Sequence, residues 1–139
     1  MAEESTDADL LELAHEWNDA FRRRELRTAM SFYASNAVFE GKVTGDRCEG
    51  RAAILDFFEG FIATFDDYEV GASQIVDLGN GVVFVIVHQR GRLAGSTGEV
   101  RMLNAHIVEF ADRLITRHIA DTDIDAARAA AERLAEERA

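Results

Sequence analysis

Residues 102–123, MLNAHIVEFADRLITRHIADTD, decide how this chain is read. Two runs of alternating side chains flank Asp112-Arg113, a tight-turn pair, so the stretch predicts a long antiparallel hairpin. Each arm carries a histidine within an otherwise apolar run, His106 on the first and His118 on the second. The preceding run, VVFVIVHQR, carries a third, His88. Imidazoles titrate near neutral pH, so several on one concave sheet suit proton transfer to a bound ligand. Alternation decides which groups can meet. Met102, Asn104 and His106 share a face with Val108 and Phe110, and His88 and Arg90 share one with Phe84 and Ile86. The relation between the two arms stays open at this point. A strict two-residue turn pairs His106 with Ile119 and sends His118 to the opposite face. A bulge or a three-residue turn brings both histidines to one side, because one residue of slip inverts every side chain.

Upstream of the hairpin, Val82–Leu93 reads as a strand, joined through Gly79-Asn80-Gly81, a strong hairpin signal, to a strand over Tyr68–Leu78. Gly95-Ser96-Thr97-Gly98 is a loop, and Glu99–Ala111 and Leu114–Ala120 complete the meander. The N-terminal half is mostly helical. Leu10, Leu13, Trp17 and Phe21 recur at helical spacing over about Asp7–Arg24, and the Arg22-Arg23-Arg24 run suits a helix C-terminus. A short helix is expected over Glu25–Tyr33, a strand over Ala37–Val43 and a turn at Gly45-Asp46. Glu49–Phe65 predicts a third helix with Ile54, Phe57, Phe58, Phe61 and Phe65 as its apolar face. Gly60 within it costs about 1 kcal/mol relative to alanine and reads as room for a close neighbour. A terminal helix is expected over Asp123–Glu137 with Thr122 as N-cap, its narrow alanine face set against a sheet edge. Residues 1–6 read as a disordered acidic start. Helices first and a strand meander afterwards indicate an α+β fold. Both faces of Val82–Val87 are apolar, and one helical layer covers only one of them. A second subunit is therefore expected over the other, making a homodimer.

The chain of 139 residues suits a single domain over 1–139. Its net charge of -11 repels phosphate backbones and anionic bilayers, which argues against nucleic-acid and membrane partners. The lone cysteine, Cys48, cannot form an intrachain disulfide, and MAEESTDAD lacks the features of a secretory signal, so the cytoplasm is expected. Cys48 has no evident base nearby and reads as inert. No apolar run is long enough to span a bilayer. Nothing like HxH or HExxH is present, so no metal site is expected.

The candidate chemistry centres on His106 as acid, base or hydrogen-bond donor, with His118 as a second acid/base group. Arg90 or Asn104 would stabilise developing negative charge. Trp17 and Tyr33 read as aromatic walls at a pocket mouth, with Phe58, His88, Met102 and Asn104 completing a substrate site. Each has a structural reading beside it: core aromatics, a histidine satisfied by a neighbour, an exposed ion pair at Arg90. Asp121 either orients a histidine or caps the terminal helix, and the cap is favoured. His15 lies off the apolar stripe and reads as exposed.

The order of segments is distinctive: a helix with Trp17, then SFYASNAVFEG (31–41), CEGRAAILDFF (48–58) and three long strands ending in RLITRHIADTDIDAARAA (113–130). Over nearly its whole length the chain resembles the nuclear-transport-factor-2-like superfamily, in its SnoaL-like and ketosteroid-isomerase-like branch. The resemblance implies a cone: a curved antiparallel sheet wrapped around N-terminal helices (a cystatin-like α+β barrel), a C-terminal helix and a deep pocket. It does not name a reaction, because members include isomerases, cyclases, epoxide hydrolases, dehydratases and proteins of no known activity. The isomerases' general-base aspartate falls on Gly41 and their second acid on His106, and the resemblance implies that His106, His118 and Ala120 all point inward, a placement favoured over the strict turn. The epoxide hydrolases' catalytic aspartate falls on Ala120, and their arginine and second aspartate on Arg90 and Arg92. Of the Tyr-x-Asp pair common in SnoaL-like proteins, Asp121 replaces the tyrosine and Asp123 keeps the aspartate. The resemblance thus implies a pocket for a small hydrophobic molecule. The leading expectation is an isomerase, cyclase or dehydratase, working without a cofactor on a hydrophobic carbonyl or polyketide-like compound. The alternative is a non-catalytic binding or dimerisation module.

Overall fold

The computed structural model describes residues 7–42 and 44–139. The expected acidic start over 1–6 and the Val43 end of the first strand lie outside them. The elements run α1 (Asp7–Arg22), α2 (Leu26–Met30), β1 (Tyr33–Gly41), β2 (Arg47–Glu49), α3 (Arg51–Ala63), β3 (Phe65–Gly79), β4 (Val82–Leu93), β5 (Glu99–Ala111), β6 (Leu114–Asp121) and α4 (Ile124–Glu137). The helix expected up to Tyr33 stops at Met30, and Tyr33 already opens β1. The three-residue β2 was not foreseen, because so short a run has no period to read.

One six-stranded sheet has the order β2-β1-β6-β5-β4-β3. It is mixed rather than purely antiparallel, since β1 runs parallel to β6 while the other pairs are antiparallel. It is also unclosed, with β2 and β3 as edges. Both tight turns follow from their residues. Asn80 and Gly81 have φ of 57° and 83°, the left-handed pair that a two-residue hairpin needs. Asp112 and Arg113 adopt the same geometry at 51° and 68° without help from glycine.

The β5–β6 ladder resolves the question that the sequence leaves open. It starts in the strict register of a two-residue turn, with Ala111 opposite Leu114 and Phe110 opposite Ile115. The register then shifts by one residue, so that Glu109 faces Arg117, Val108 faces His118 and His106 faces Ala120. Thr116 is the extra residue, and its hydroxyl donates to the Glu109 carbonyl at 3.3 Å. This bulge puts His106 and His118 on one face of the sheet.

That concave face packs on α1–α3. Its buried cluster includes Leu10, Trp17, Met30, Tyr33, Phe39, Ile54, Val83, Val85, Val108 and Ile115. The convex face carries Val82, Phe84, Ala105, Ile107 and Ile119 beneath Ala127, Ala131 and Ala135 of α4. Two expectations change here. The terminal helix lies across the sheet face, not against an edge, because alanines every fourth residue let its backbone approach closely. Much of the apolar surface assigned to a partner subunit is therefore covered within the chain. The helix starts one residue later than expected, with the Asp123 carboxylate accepting from the Ala126 N–H at 3.0 Å. Asp121 accepts from the Asp123 N–H, so it supports that cap and touches no histidine. Gly60 has open space where a Cβ would stand, so no neighbour approaches it.

Candidate active site

Four side chains from four elements form a buried hydrogen-bonded line. The indole Nε1–H of Trp17, on α1, donates to the Tyr33 hydroxyl at 3.1 Å. That oxygen lies 2.9 Å from His118 Nδ1. His118 Nε2 lies 2.6 Å from His106 Nδ1. The remaining nitrogen, His106 Nε2, is buried and has no hydrogen-bond partner among the described residues. Each member arrives for a local reason. Trp17 lies one helical turn beyond Ala14 on the buried stripe of α1. Tyr33 is the first residue of β1, whose parallel ladder with β6 sets Phe39 beside His118. The Thr116 bulge turns the His118 ring to the side of His106.

The line has a definite polarity. An indole N–H can only donate, so the Tyr33 oxygen accepts and its own proton is free to go to His118 Nδ1. His118 then carries its proton on Nε2 and donates to His106 Nδ1, which leaves the His106 proton on Nε2. In the reverse arrangement His118 Nδ1–H donates to Tyr33, His106 Nδ1–H donates to His118, and His106 Nε2 bears a lone pair. Both arrangements are neutral. Burial holds His106 down to about 4 from the ordinary 6.5. Burial and the neighbouring His106 push His118 in the same direction. Burial likewise raises the Tyr33 phenol above its usual value, against a smaller opposing effect of its hydrogen bond with Trp17. The line is thus uncharged at neutral pH and can present an acid or a base at one point.

Aromatic rings enclose it. The His118 ring meets Phe39 at 4.9 Å, Trp17 at 5.3 Å and Phe58 at 6.1 Å between centroids. His106 opens onto a pocket of about 270 Å³, walled by Phe39, Phe57, Phe58, Phe61, Met102 and Asn104. The phenylalanines of α3 are only half-buried in the described chain, whereas Ile54 is fully buried. Phe57 and Phe58 meet Phe39 of β1 at 5.1 Å between centroids, and the pocket opens beside these rings. Its polar rim includes Lys42, Thr44, Asp121 and Thr122.

The structure brings together His106, His118, Trp17, Tyr33, Phe58, Met102 and Asn104, and leaves His88 and Arg90 outside. Tyr33 sits behind His118 with no exposure, so it supports the histidines and does not line the mouth. Trp17 borders a smaller hollow beside the main pocket. His88 and Arg90 are exposed and border an open groove, where Arg90 meets Glu69 at 2.6 Å and Glu99 at 3.6 Å. Alternation sets both on the Phe84 face of β4, and the ladder pairs Val85, on the other face, with His106. One residue was missed. Gln89 lies between them, on the Val85 and Val87 face, and its buried Oε1 has no partner among the described residues. The signal was available: it is the polar residue on the inward register of an otherwise apolar strand.

A family model of the SnoaL-like domain matches residues 14–118. The chain belongs to the SnoaL-like family. No curated protein matches the sequence. Solved structures similar to this SnoaL-like chain are distant in sequence and share the fold. A protein of Catenulispora acidiphila DSM 44928 with a ketosteroid isomerase-like fold, in complex with trimethylamine, is 15% identical with a TM-score of 0.71, over 78% of this chain and 83% of that one. TerC, co-crystallised with polyporic acid, is 16% identical with a TM-score of 0.72, over 88% and 98%. A protein of Shewanella putrefaciens CN-32, provisionally named a SnoaL-like polyketide cyclase, is 19% identical with a TM-score of 0.69, over 92% and 98%. Among the described residues, no helix is long and apolar enough to cross a membrane, and no group of three His, Cys, Asp or Glu side chains is placed to hold a metal.

Proposed function

We propose that this SnoaL-like protein binds a small hydrophobic carbonyl compound and moves a proton next to the carbonyl, using His106 and no cofactor. The observation that carries the reading is the unpartnered His106 Nε2, buried at an aromatic pocket and backed by His118, Tyr33 and Trp17. A buried nitrogen without a partner costs about 1–3 kcal/mol, a cost that a ligand would remove.

In the arrangement with a lone pair on Nε2, His106 takes the proton from the carbon beside the carbonyl. Its Nδ1 proton shifts toward His118, so the positive charge spreads over two rings opposite the new enolate. The Asn104 amide, on the same face, donates to the enolate oxygen. Return of the proton to another carbon isomerises the ligand; attack of the enolate on a second carbonyl cyclises it. Arg90, bound to Glu69 and Glu99 in the outer groove, has no part in this scheme. The pocket volume suits a ligand of one to three rings. The reading includes a cytoplasmic location and a homodimer on the convex face that α4 leaves open, around the exposed Leu103, which light scattering tests.

The rival is a binding module. It draws on His118, whose two nitrogens are both taken by neighbours. The deciding experiment follows α-proton exchange of 2-tetralone, a bicyclic ketone, in D2O by NMR. The wild type is expected to accelerate exchange, and His106→Ala to lose at least a hundredfold. Equal rates for the two proteins would leave the binding module as the reading.

A further inference from the structure

Beside the ligand pocket lies a second hollow of about 40 Å³, and His106 and Gln89 border both. The rest of its wall is mainly apolar, with Trp17, Phe21, Phe58 and Val87. Yet among the described residues the unpartnered buried side-chain atoms include His106 Nε2 and Gln89 Oε1. One is a donor or an acceptor according to its proton, and the other is an acceptor only. Asn18 and Tyr68 also border it. A hollow holds water where it is large enough, at ~10–15 Å³ or more, and offers two to four polar partners. This one meets both conditions.

We propose that the small hollow is a water site, held by His106 and Gln89, and that the enzyme adds water to, or removes it from, its carbonyl ligand. With the proton on His106 Nε2, the ring donates to the water and the water donates to Gln89 Oε1. In the reverse arrangement the water donates to both, and its free lone pair is turned toward the ligand pocket. The substrate class is an α,β-unsaturated ketone or the β-hydroxy ketone it becomes. On addition, a water proton passes to His106 Nε2 and the oxygen bonds to the β-carbon. The π pair moves onto the carbonyl oxygen as an enolate, and His106 Nε2 returns the proton to the α-carbon. Elimination reverses these steps, and the departing water enters the small hollow. No electron is gained or lost, and His106 ends as it began.

The water site stands on the cavity alone, while its chemical use rests on the proton-transfer reading above. Two readouts keep them apart. Water-selective NOEs to the His106 ring protons report the site: they are expected in wild type, lost in Gln89→Leu and kept in Gln89→Glu, which retains an acceptor oxygen. Absence in wild type, or persistence in Gln89→Leu, overturns the site. Incorporation of ¹⁸O from labelled water into 2-cyclohexenone, read by mass spectrometry as the β-hydroxy ketone, reports the chemistry. Gln89→Leu is expected to slow incorporation at least tenfold more than it slows α-proton exchange of 2-tetralone. Unchanged incorporation, an equal loss of both reactions, or wild-type exchange without incorporation overturns the role in water transfer. Loss of exchange in the wild type, with the NOEs present, sinks the proton-transfer reading and leaves the water site standing.

Discussion

The two faces of this sheet are packed by helices of opposite character, and one ends solid while the other ends hollow. On the convex face α4 presents Ala127, Ala131 and Ala135, all buried, and lies flush over Val82, Phe84 and Ile107. On the concave face α3 presents Phe57, Phe58 and Phe61, which stay half-buried and wall a pocket beside the strands. Small side chains allow close approach, and bulky ones leave space beside them unless others fill it. The polar groups divide accordingly. The convex side keeps its charges at the periphery, as where Glu40 meets Arg47 at 2.8 Å and Arg117 at 2.9 Å. The concave side buries two imidazoles and leaves the outermost nitrogen of the pair without a partner among the described residues.

The largest expected effect separates the faces by truncation. Phe84 is fully buried under α4, with the Arg128 guanidinium 4.7 Å above its ring. Phe84→Ala is expected to lose about 3–5 kcal/mol in urea denaturation. Phe61→Ala, which removes a pocket wall, is expected to lose about half as much, in proportion to the area it buries. Equal losses would show that the concave side is as tightly filled as the convex.

Acid acts on the concave side next. The unfolded chain protonates His106 near 6.5, whereas the folded chain resists until about 4. The contribution is therefore fully present above the unfolded value and is lost as pH falls through that window. A tenfold difference in proton affinity between the two states is worth about 1.4 kcal/mol, so the loss is on the order of 3 kcal/mol between about pH 7 and pH 4. The His106→Asn/His118→Asn double variant is expected to show a flatter profile over this range. An equal slope in variant and wild type would place the acid response in the carboxylates instead.

The smallest effect is at Gly60, on the outer side of α3 with nothing within 4 Å of a Cβ. Gly60→Ala is expected to gain about 1 kcal/mol by urea denaturation and to leave the pocket as it is. A loss of stability would mean that α3 needs that freedom.

The faces also differ in how far they can be read in advance. The bounds of β4 and β5 match the reading of Val82–Leu93 and Glu99–Ala111, because alternation there ends at marked turns. The residues alone leave the pairing of His106 with His118 open, since the bulge at Thr116 has no glycine or other local sign, and only the family resemblance favours the inward placement that the ladder shows. Gln89 is legible as the polar residue on the inward register of β4, but its neighbours His88 and Arg90 carry the more obviously chemical side chains. The aromatic face of α3 was legible as apolar. The pocket beside it was not, because it depends on how the helix seats on strands remote in sequence. The flush seating of α4 was misjudged for the same reason, since a narrow alanine stripe suits an edge or a close face-on contact equally.

The most direct measurement is the pH titration of the His106 and His118 ring nitrogens by long-range ¹H–¹⁵N NMR, with and without 2-tetralone. Both rings should remain neutral from pH 8 to pH 5, share one N–H between His106 Nδ1 and His118 Nε2, and show a changed His106 Nε2 signal when the ketone is added. Titration of either ring near 6.5, or a His106 Nε2 signal indifferent to the ketone, would contradict the account.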